Sequence, residues 1–388
     1  MKGVTQEDKK AMKLFSLPGK KIASIVSVLC LSALMVACGS ANGGSTTTIN
    51  GNNGVGCKKI GVLLPETATS ARWDGQDRPY LQRDIPATLS GATVDYTNAG
   101  GDADVQQTQA DAALTKGDCI LVVAAQDSVK AARIVADAKA DHIPVIAYDR
   151  LIQSNDLAYY VSFDNVQVGK LQGQYIADHY KDFVKSGVGK TVMIDGSKTD
   201  NNAILFAQGA HSVLDPLFTS GVLKNVYEQY TPNWDNPTAQ TEMEAALTAN
   251  ANTIQIAYVA NDGMAQTVIA ALKQVRLNGK VLVTGQDATV AGLQNILLGN
   301  QSMTVFKDIS LEAQATANIV AAISNGSSTA NLTNGATTAT TGGAKIPSVL
   351  ETPQSIDKTN VMTVITAGGA TLSDVCQGLP SGTGGICP

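Results

Sequence analysis

The sequence predicts an α/β protein built as two doubly wound, Rossmann-like lobes with parallel sheets. Three observations lead there. From Cys57 onward, short apolar or β-branched runs alternate with segments of helical periodicity. Most of the runs are apolar along their length rather than alternating, as in strands covered on both faces. The chain has 388 residues, and the part left after its leader is long for one core and natural for two. An eight-stranded βα barrel is the competing architecture for the same alternation.

The leader comes first. Residues 1–21 hold Lys2, Lys9, Lys10, Lys13, Lys20 and Lys21, and an uncharged run, "IASIVSVLCLSALMVAC", follows. A basic start, a short apolar stretch and small residues before a cysteine describe an export signal. The run is shorter than the ~20 residues a spanning helix needs. Met35-Val36-Ala37-Cys38 resembles a bacterial lipobox, with methionine where leucine is usual, and marks Cys38 as the residue to be lipidated. Residues 39–56, "GSANGGSTTTINGNNGVG", bury too little apolar surface to offset their chain entropy and read as a tether.

The whole chain carries 28 Lys and Arg against 33 Asp and Glu. Six of those bases and two of the acids, Glu7 and Asp8, lie in the leader, so the remainder has 22 against 31 and a formal charge of −9. An acidic surface argues against a nucleic-acid partner. His142, His179 and His211 are scattered, and no Cys-x-x-Cys or Cys-His group has metal-ligand spacing, so no metal or other cofactor is expected.

The strands follow in order. "KKIGVLL", "ATVDYT", "CILVVAA", "IPVIAYD" and "YYVSF" make one set; "TVMIDG", "LKNVYEQY", "TIQIAYVA", "VLVTGQD" and "MTVFKD" make a second. Between them, Ala131, Ile134, Val135 and Ala138 have helical spacing, as do Val268, Ala271, Leu272 and Val275. Cys57 precedes the first strand and Cys119 opens the third. With strand order 2-1-3 these starts are neighbours at the bottom of one sheet, ~4.8 Å between strands, so Cys57 is expected to pair with Cys119. Cys376 is expected to pair with Cys387 across a short Gly-rich connection.

In open parallel sheets, ligands bind beyond the carboxyl ends of the strands. At those ends stand Arg72 and Trp73, then Asp149 and Arg150, then Asp200, Asn201 and Asn202. Asn261 and Asp262, Asp287, and Lys307 follow later strands. Carboxylates, amides and cations together suit sugar hydroxyls, which donate and accept at once. A phosphate would call for a Gly-rich loop and an excess of cations. The two tryptophans lie in polar surroundings, "SARWDGQDR" and "TPNWDNPTAQ", where a flat face can meet the C–H face of a pyranose.

The blocks "SARW", "VIAYDRLI", "GSKTDNNA", "WDNPTAQ", "VLVTGQDA" and "MTVFKD", in this order, resemble the sugar-binding proteins of bacterial ABC importers, in particular their xylose- and multiple-sugar-binding branch. The resemblance spans nearly all of residues 58–365. It implies a type I periplasmic binding fold whose lobes are joined by a three-strand hinge, with the ligand in the cleft between them. It places residues 57–163 plus about 310–350 in the first lobe and about 164–309 plus 351–375 in the second, leaving 376–388 as a tail. It implies sugar contacts from Arg72, Trp73, Asp149, Arg150, Asn202, Trp234, Asn261, Asp287 and Lys307.

Two departures bear on which sugar is bound. The first binding loop, "PETATS", has only Glu66 where the xylose branch has two acids, and Ala203, Ile204 and Leu205 stand where many hexose receptors carry a basic residue. The expected role is delivery of an aldose such as xylose, glucose, arabinose or galactose to an ABC permease. Presentation of a sugar or autoinducer to a chemoreceptor or sensor kinase is the alternative. The chain is expected to be a monomer whose only contact with the membrane is its N-terminal lipid. A glycosidase using Asp149 and Asp287 is disfavoured, because Arg150 and Lys307 would hold both acids ionised.

Overall fold

The computed structural model describes residues 53–388. The leader, Cys38 and most of the tether lie outside the described residues. In chain order the first strands are β1 (Lys59–Leu64), β2 (Thr93–Asn98), β3 (Ile120–Val123), β4 (Val145–Tyr148) and β5 (Tyr159–Phe163). Then come β6 (Gly189–Asp195), β7 (Leu223–Tyr230), β8 (Ile256–Val259), β9 (Leu282–Val283) and β10 (Met303–Phe306). The last are β11 (Thr337–Ala339), β12 (Lys345–Glu351) and β13 (Gln354–Asp357).

The main helices are α1 (Arg78–Thr88), α2 (Ala103–Lys116), α3 (Ala132–Ala140), α4 (Asn165–Phe183) and α5 (Asn201–Thr219). They continue with α6 (Asn236–Ala249), α7 (Asp262–Gln274), α8 (Val290–Leu298) and α9 (Ile309–Ser324). Side-chain caps start many of them. Asp102 caps α2, Asp200 caps α5, Asn261 caps α7 and Asp308 caps α9.

The first sheet has the order β11-β12-β5-β4-β3-β1-β2 and is parallel apart from the β11–β12 hairpin. Alternation along β1 shows why the strand reads as apolar throughout. Ile60, Val62 and Leu64 enter a core shared with Leu81, Ile85, Ala317 and Val320, while Leu63 enters another with Ala113, Ile134 and Val135. Burying each such aliphatic side chain contributes roughly 1.5–3 kcal/mol before chain entropy is counted.

The second lobe carries the parallel sheet β7-β6-β8-β9. β10 runs alongside β9 through Ser302 N–H to Val283 O and Val305 N–H to Gly285 O, and pairs antiparallel with β13. The architecture is the doubly wound two-lobe α/β fold expected of the sequence, not a barrel. The chain passes between the sheets three times: from β5 to α4, from β10 to α9, and from β12 to β13. The first and third passages touch, Asp164 N–H donating to Glu351 O at 3.0 Å.

Strands β11, β12 and β13 carry no strong sequence signal. β12 contains Pro347 and alternates exposed with buried residues, and β11 and β13 are short and polar.

Cys57 and Cys119 form a disulfide with 5.6 Å between their Cα atoms, below the start of the paired strands β1 and β3. Cys376 and Cys387 form a second. Around it, Val375 and Cys387 pack with Leu293, Ile296 and Leu297 of α8.

Candidate functional site

Asp149 ends β4 and turns back, with φ 58°. That left-handed backbone costs a non-glycine residue of order 1–3 kcal/mol, and the surroundings hold it in place. Asp149 N–H donates to Val161 O at 2.8 Å, and its carbonyl accepts from Ser162 Oγ at 2.7 Å, Tyr160 Oη at 3.0 Å and Asn202 Nδ2 at 3.0 Å. Trp234 (φ 58°) and Asp287 (φ 93°) are held in the same region of backbone space.

The adjacent charges of the "YDR" stretch do not pair with each other. Asp149 Oδ2 accepts from Arg72 Nη1 at 2.8 Å and lies 3.7 Å from Lys307 Nζ, while Oδ1 accepts from Asn202 Nδ2 at 3.0 Å. Arg150 instead stands 2.8 Å from Asp200 Oδ2, at the start of α5 in the other lobe. Lys307, just past β10, completes the set with a 3.2 Å ion pair to Asp287.

Arg72 sits among further buried acids. Its Nε and Nη2 donate to the Asp77 carboxylate at 2.9 and 2.7 Å, and Nη2 also donates to Glu312 Oε2 at 2.9 Å. Burial pushes the Glu312 carboxyl well above the usual range, and the neighbouring Asp149 charge adds to this. Burial also pushes Asp149 upward, but Arg72, then Lys307 and Arg150, outweigh it and hold that carboxyl at about 2. Asp149 is therefore an ionised acceptor. The largest single part of that electrostatic support comes from Arg72, 77 residues away, ahead of the neighbouring Arg150.

The tryptophans close two sides. Trp73 opens a π-helical turn, Trp73–Asp77, and the guanidinium groups of Arg72 and Arg150 lie 4.5 and 5.1 Å from its ring centroid. Trp234 lies in the turn Pro232–Trp234, its Nε1 donating to Asp200 Oδ2 at 3.2 Å. The six-membered ring of Trp234 rests on Gly196, where a side-chain carbon would come within 2.1–2.4 Å of it. Asn261 caps α7 through Oδ1, which accepts from Met264 N–H at 2.9 Å.

The nine residues implied as sugar contacts all line one cavity between the lobes, which as closed here has a volume of about 30 Å³. That is room for a water or two, well below the roughly 300–1,000 Å³ of small-molecule sites, so the lobes must part to admit a ligand. Thr69, Ser70, Asp200, Phe206 and Gln286 line it too. Asn201 and Asp262, also named at strand ends, do not line it. Asp200 stands in the same strand-end group as Asn202, so its strand-end position was its signal. Phe206 sits one turn into α5, in a run of apolar residues, and nothing local marks it out. Four buried polar atoms of the lining make no hydrogen bond among the described residues: Trp73 Nε1, Arg150 Nε, Gln286 Oε1 and Asp287 Oδ1. Arg150 Nε and Asp287 Oδ1 are held in the ion pairs to Asp200 and Lys307, which leaves Trp73 Nε1 and Gln286 Oε1 with no partner of either kind. No His, Cys, Asp and Glu group able to hold a metal ion occurs among the described residues.

Two sheets meeting at a polar cavity lined from their carboxyl ends is an arrangement with known relatives. The periplasmic binding protein domain family matches residues 63–328. The chain belongs to that family. The chain is 35% identical over 311 residues to the D-xylose-binding periplasmic protein of Escherichia coli strain K12, covering 80% of this chain and 90% of that protein. It is 36% identical over 329 residues to the multiple sugar-binding periplasmic receptor of Rhizobium radiobacter, covering 80% and 90%. Among solved structures it is similar to an ABC transporter solute-binding protein from Clostridium phytofermentans with bound β-D-glucose, at TM-score 0.75 and 31% identity, covering 82% of this chain and all of that one. The family is one of ligand-binding transport proteins rather than enzymes.

Proposed function

We propose that this protein binds a neutral monosaccharide, an aldopyranose such as D-xylose or D-glucose, in the interlobe cavity and delivers it to an ABC import permease. The charge balance of the cavity carries the reading. Its lining holds three cations, Arg72, Arg150 and Lys307, each within 3.2 Å of a carboxylate, and the three acids Asp149, Asp200 and Asp287 are among those partners. A charged ligand would leave one member of that set uncompensated in a water-poor space. A neutral polyol adds no charge and brings hydroxyls to the unpartnered Trp73 N–H and Gln286 Oε1, with Asp287 free to accept further hydroxyl protons beside Lys307. Relatives named for D-xylose and a structural neighbour holding β-D-glucose support the same class.

Trp73 and Trp234 offer apolar faces to a pyranose ring from opposite lobes. The nine candidate residues divide likewise: Arg72, Trp73, Asp149 and Arg150 come from the first lobe, Asn202, Trp234, Asn261 and Asp287 from the second, and Lys307 from the passage between β10 and α9. Closure around the sugar brings both sets to bear. Export and lipidation at Cys38 tether the protein outside the cytoplasm, where a permease is reached.

A ligand panel followed by thermal unfolding tests the reading. D-xylose, D-glucose, L-arabinose, D-galactose and D-ribose are compared with D-glucuronate and D-glucosamine. At a hundredfold excess over its dissociation constant, a cognate sugar adds roughly 2.7 kcal/mol of stability. At least one neutral sugar should stabilise, and neither charged one should. Stabilisation by a charged sugar alone would overturn the assignment. A sensory role is the second reading, favoured by the relative named as a receptor. Loss of growth on the sugar with taxis intact, in a strain lacking the protein, separates transport from signalling.

A further inference from the structure

The C-terminal segment after β13 does more than finish the chain. Two short helices, Met362–Thr366 and Leu372–Cys376, lead into the loop closed by Cys376 and Cys387. Val361, Val364, Val375 and Cys387 form one apolar cluster with Ala288 and Phe306. Ala288 directly follows Asp287, and Phe306 directly precedes Lys307. Both halves of the 3.2 Å Lys307–Asp287 ion pair are thus anchored, one residue away, in the core this segment builds.

Two further contacts fix the register. Gly369 passes so close to Phe306 that a side-chain carbon there would stand 2.7 Å from Cε2. The carbonyl of Gly369 accepts from Gln76 Nε2 at 3.0 Å. Gln76 belongs to the turn that begins with Trp73, in the first lobe, so this bond crosses from the segment to the opposite wall of the cleft. On the other side, Gln294 of α8 donates to the carbonyls of Asp374 and Gln377 at 3.3 and 3.1 Å.

We propose that the C-terminal segment, residues 358–388, braced by the Cys376–Cys387 bond, is a positioning element of the binding site. Through Ala288 and Phe306 it sets the Lys307–Asp287 pair, and through Gly369 it receives Gln76 when the lobes meet. This rests on the sugar-binding reading for its effect on affinity, but not for its effect on the strand that passes between the lobes.

The full chain tests it with three variants: Cys376→Ser/Cys387→Ser, Gln76→Ala, and Cys57→Ser/Cys119→Ser as the control at the far end of the first lobe. Amide hydrogen exchange is measured without ligand, and titration calorimetry with whichever of D-xylose and D-glucose binds more tightly. Opening the Cys376–Cys387 loop should speed exchange across residues 303–310 while leaving β1 and β3 unchanged. The control should do the reverse. Gln76→Ala should weaken sugar binding about three- to tenfold, the worth of one hydrogen bond, with no change in the unfolding temperature of the ligand-free protein. Unchanged exchange at residues 303–310 in the Cys376→Ser/Cys387→Ser protein would overturn the proposal, whatever the sugar does. If exchange quickens there and neither sugar binds the unaltered protein, the positioning role stands and the sugar reading falls. If a sugar binds and Gln76→Ala leaves its affinity untouched, the contact across the cleft is refuted.

Discussion

Arg150 Nε lies 2.8 Å from Asp200 Oδ2, and this ion pair joins the two lobes rather than two neighbours in sequence. Both side chains are nearly buried, at 6% and 3% exposure. A buried pair of this kind is costly to break from one side, because the remaining charge is stranded. Around it the lobes meet again: Ser128 N–H donates to Thr199 O at 2.8 Å, and Gln153 Nε2 to Asn201 Oδ1 at 2.9 Å. The start of α5 is therefore the main latch across the cleft.

A double-mutant cycle on Arg150→Ala and Asp200→Ala should show this. Each single change is expected to weaken sugar binding strongly, and the double change by much less than their product. A coupling of roughly 2 kcal/mol or more is expected for a close charge pair. The coupling should be seen in affinity by calorimetry and be small in the stability of the ligand-free protein, where the lobes are free to part.

Asp149 and Asp287 are expected to matter for a different reason. Asp149 is held ionised at about 2 by Arg72, Lys307 and Arg150 against the effect of burial. Removing either acid takes one carboxylate from Lys307 and leaves a sugar hydroxyl without its acceptor, at roughly 1.5–3 kcal/mol for a hydrogen bond to a charged group. Asp149→Ala and Asp287→Ala should each weaken binding by at least about tenfold, which corresponds to 1.4 kcal/mol, while circular dichroism shows the fold intact.

Trp234 should report and hold the sugar. The chain has only two tryptophans, so intrinsic fluorescence should change on sugar addition and lose most of that change in Trp234→Ala. Gly196→Ala is the sharper variant. It leaves the indole in place chemically but puts a methyl group where the ring now lies. Affinity measured by titration should drop in Gly196→Ala nearly as far as in Trp234→Ala.

Much of this was legible in the sequence, and the exceptions have physical causes. The central strands announce themselves because both of their faces are apolar, as Leu63 and Val62 illustrate on opposite sides of β1, whereas the edge strands β2 and β7 show themselves only by their β-branched and aromatic residues. The strand ends then deliver polar residues to the cavity without further information. The acids behind Arg72 are another matter. Glu312 lies in a helix and Asp77 at the end of a turn, where charges normally face water, and only tertiary packing turns both onto one guanidinium. The left-handed backbone of Asp149, Trp234 and Asp287 is likewise invisible locally, since neither Trp nor Ala-flanked Asp advertises it. The Gly-rich tail 376–388 shows only its cysteine pair in the sequence, yet Cys387 is a core residue and Leu379 and Ile386 pack against the same cluster.

Asp195, at the end of β6, gives a pH signature separate from the cleft. It is buried with both carboxylate oxygens unpartnered among the described residues, and burial, then Glu228, push it up to about 7. The unfolded value is about 3.9, so the folded state holds this proton more tightly. Its ionisation therefore lowers stability as pH rises from about 4, with the loss complete above about 7. Asp195→Asn should be near neutral at pH 4 and stabilising at pH 8, by roughly 1–3 kcal/mol. Thermal melts of both proteins across that range check the slope.

Closure around the ligand is the claim from which the rest follows, and small-angle scattering measures it directly. The radius of gyration is recorded for the full chain without sugar and with a saturating neutral aldopyranose whose binding calorimetry has established. The sugar should contract the particle to the value calculated for residues 53–388 with their lobes in contact, apart from the N-terminal residues. An unchanged radius of gyration in the presence of a sugar that demonstrably binds would contradict the two-lobe account.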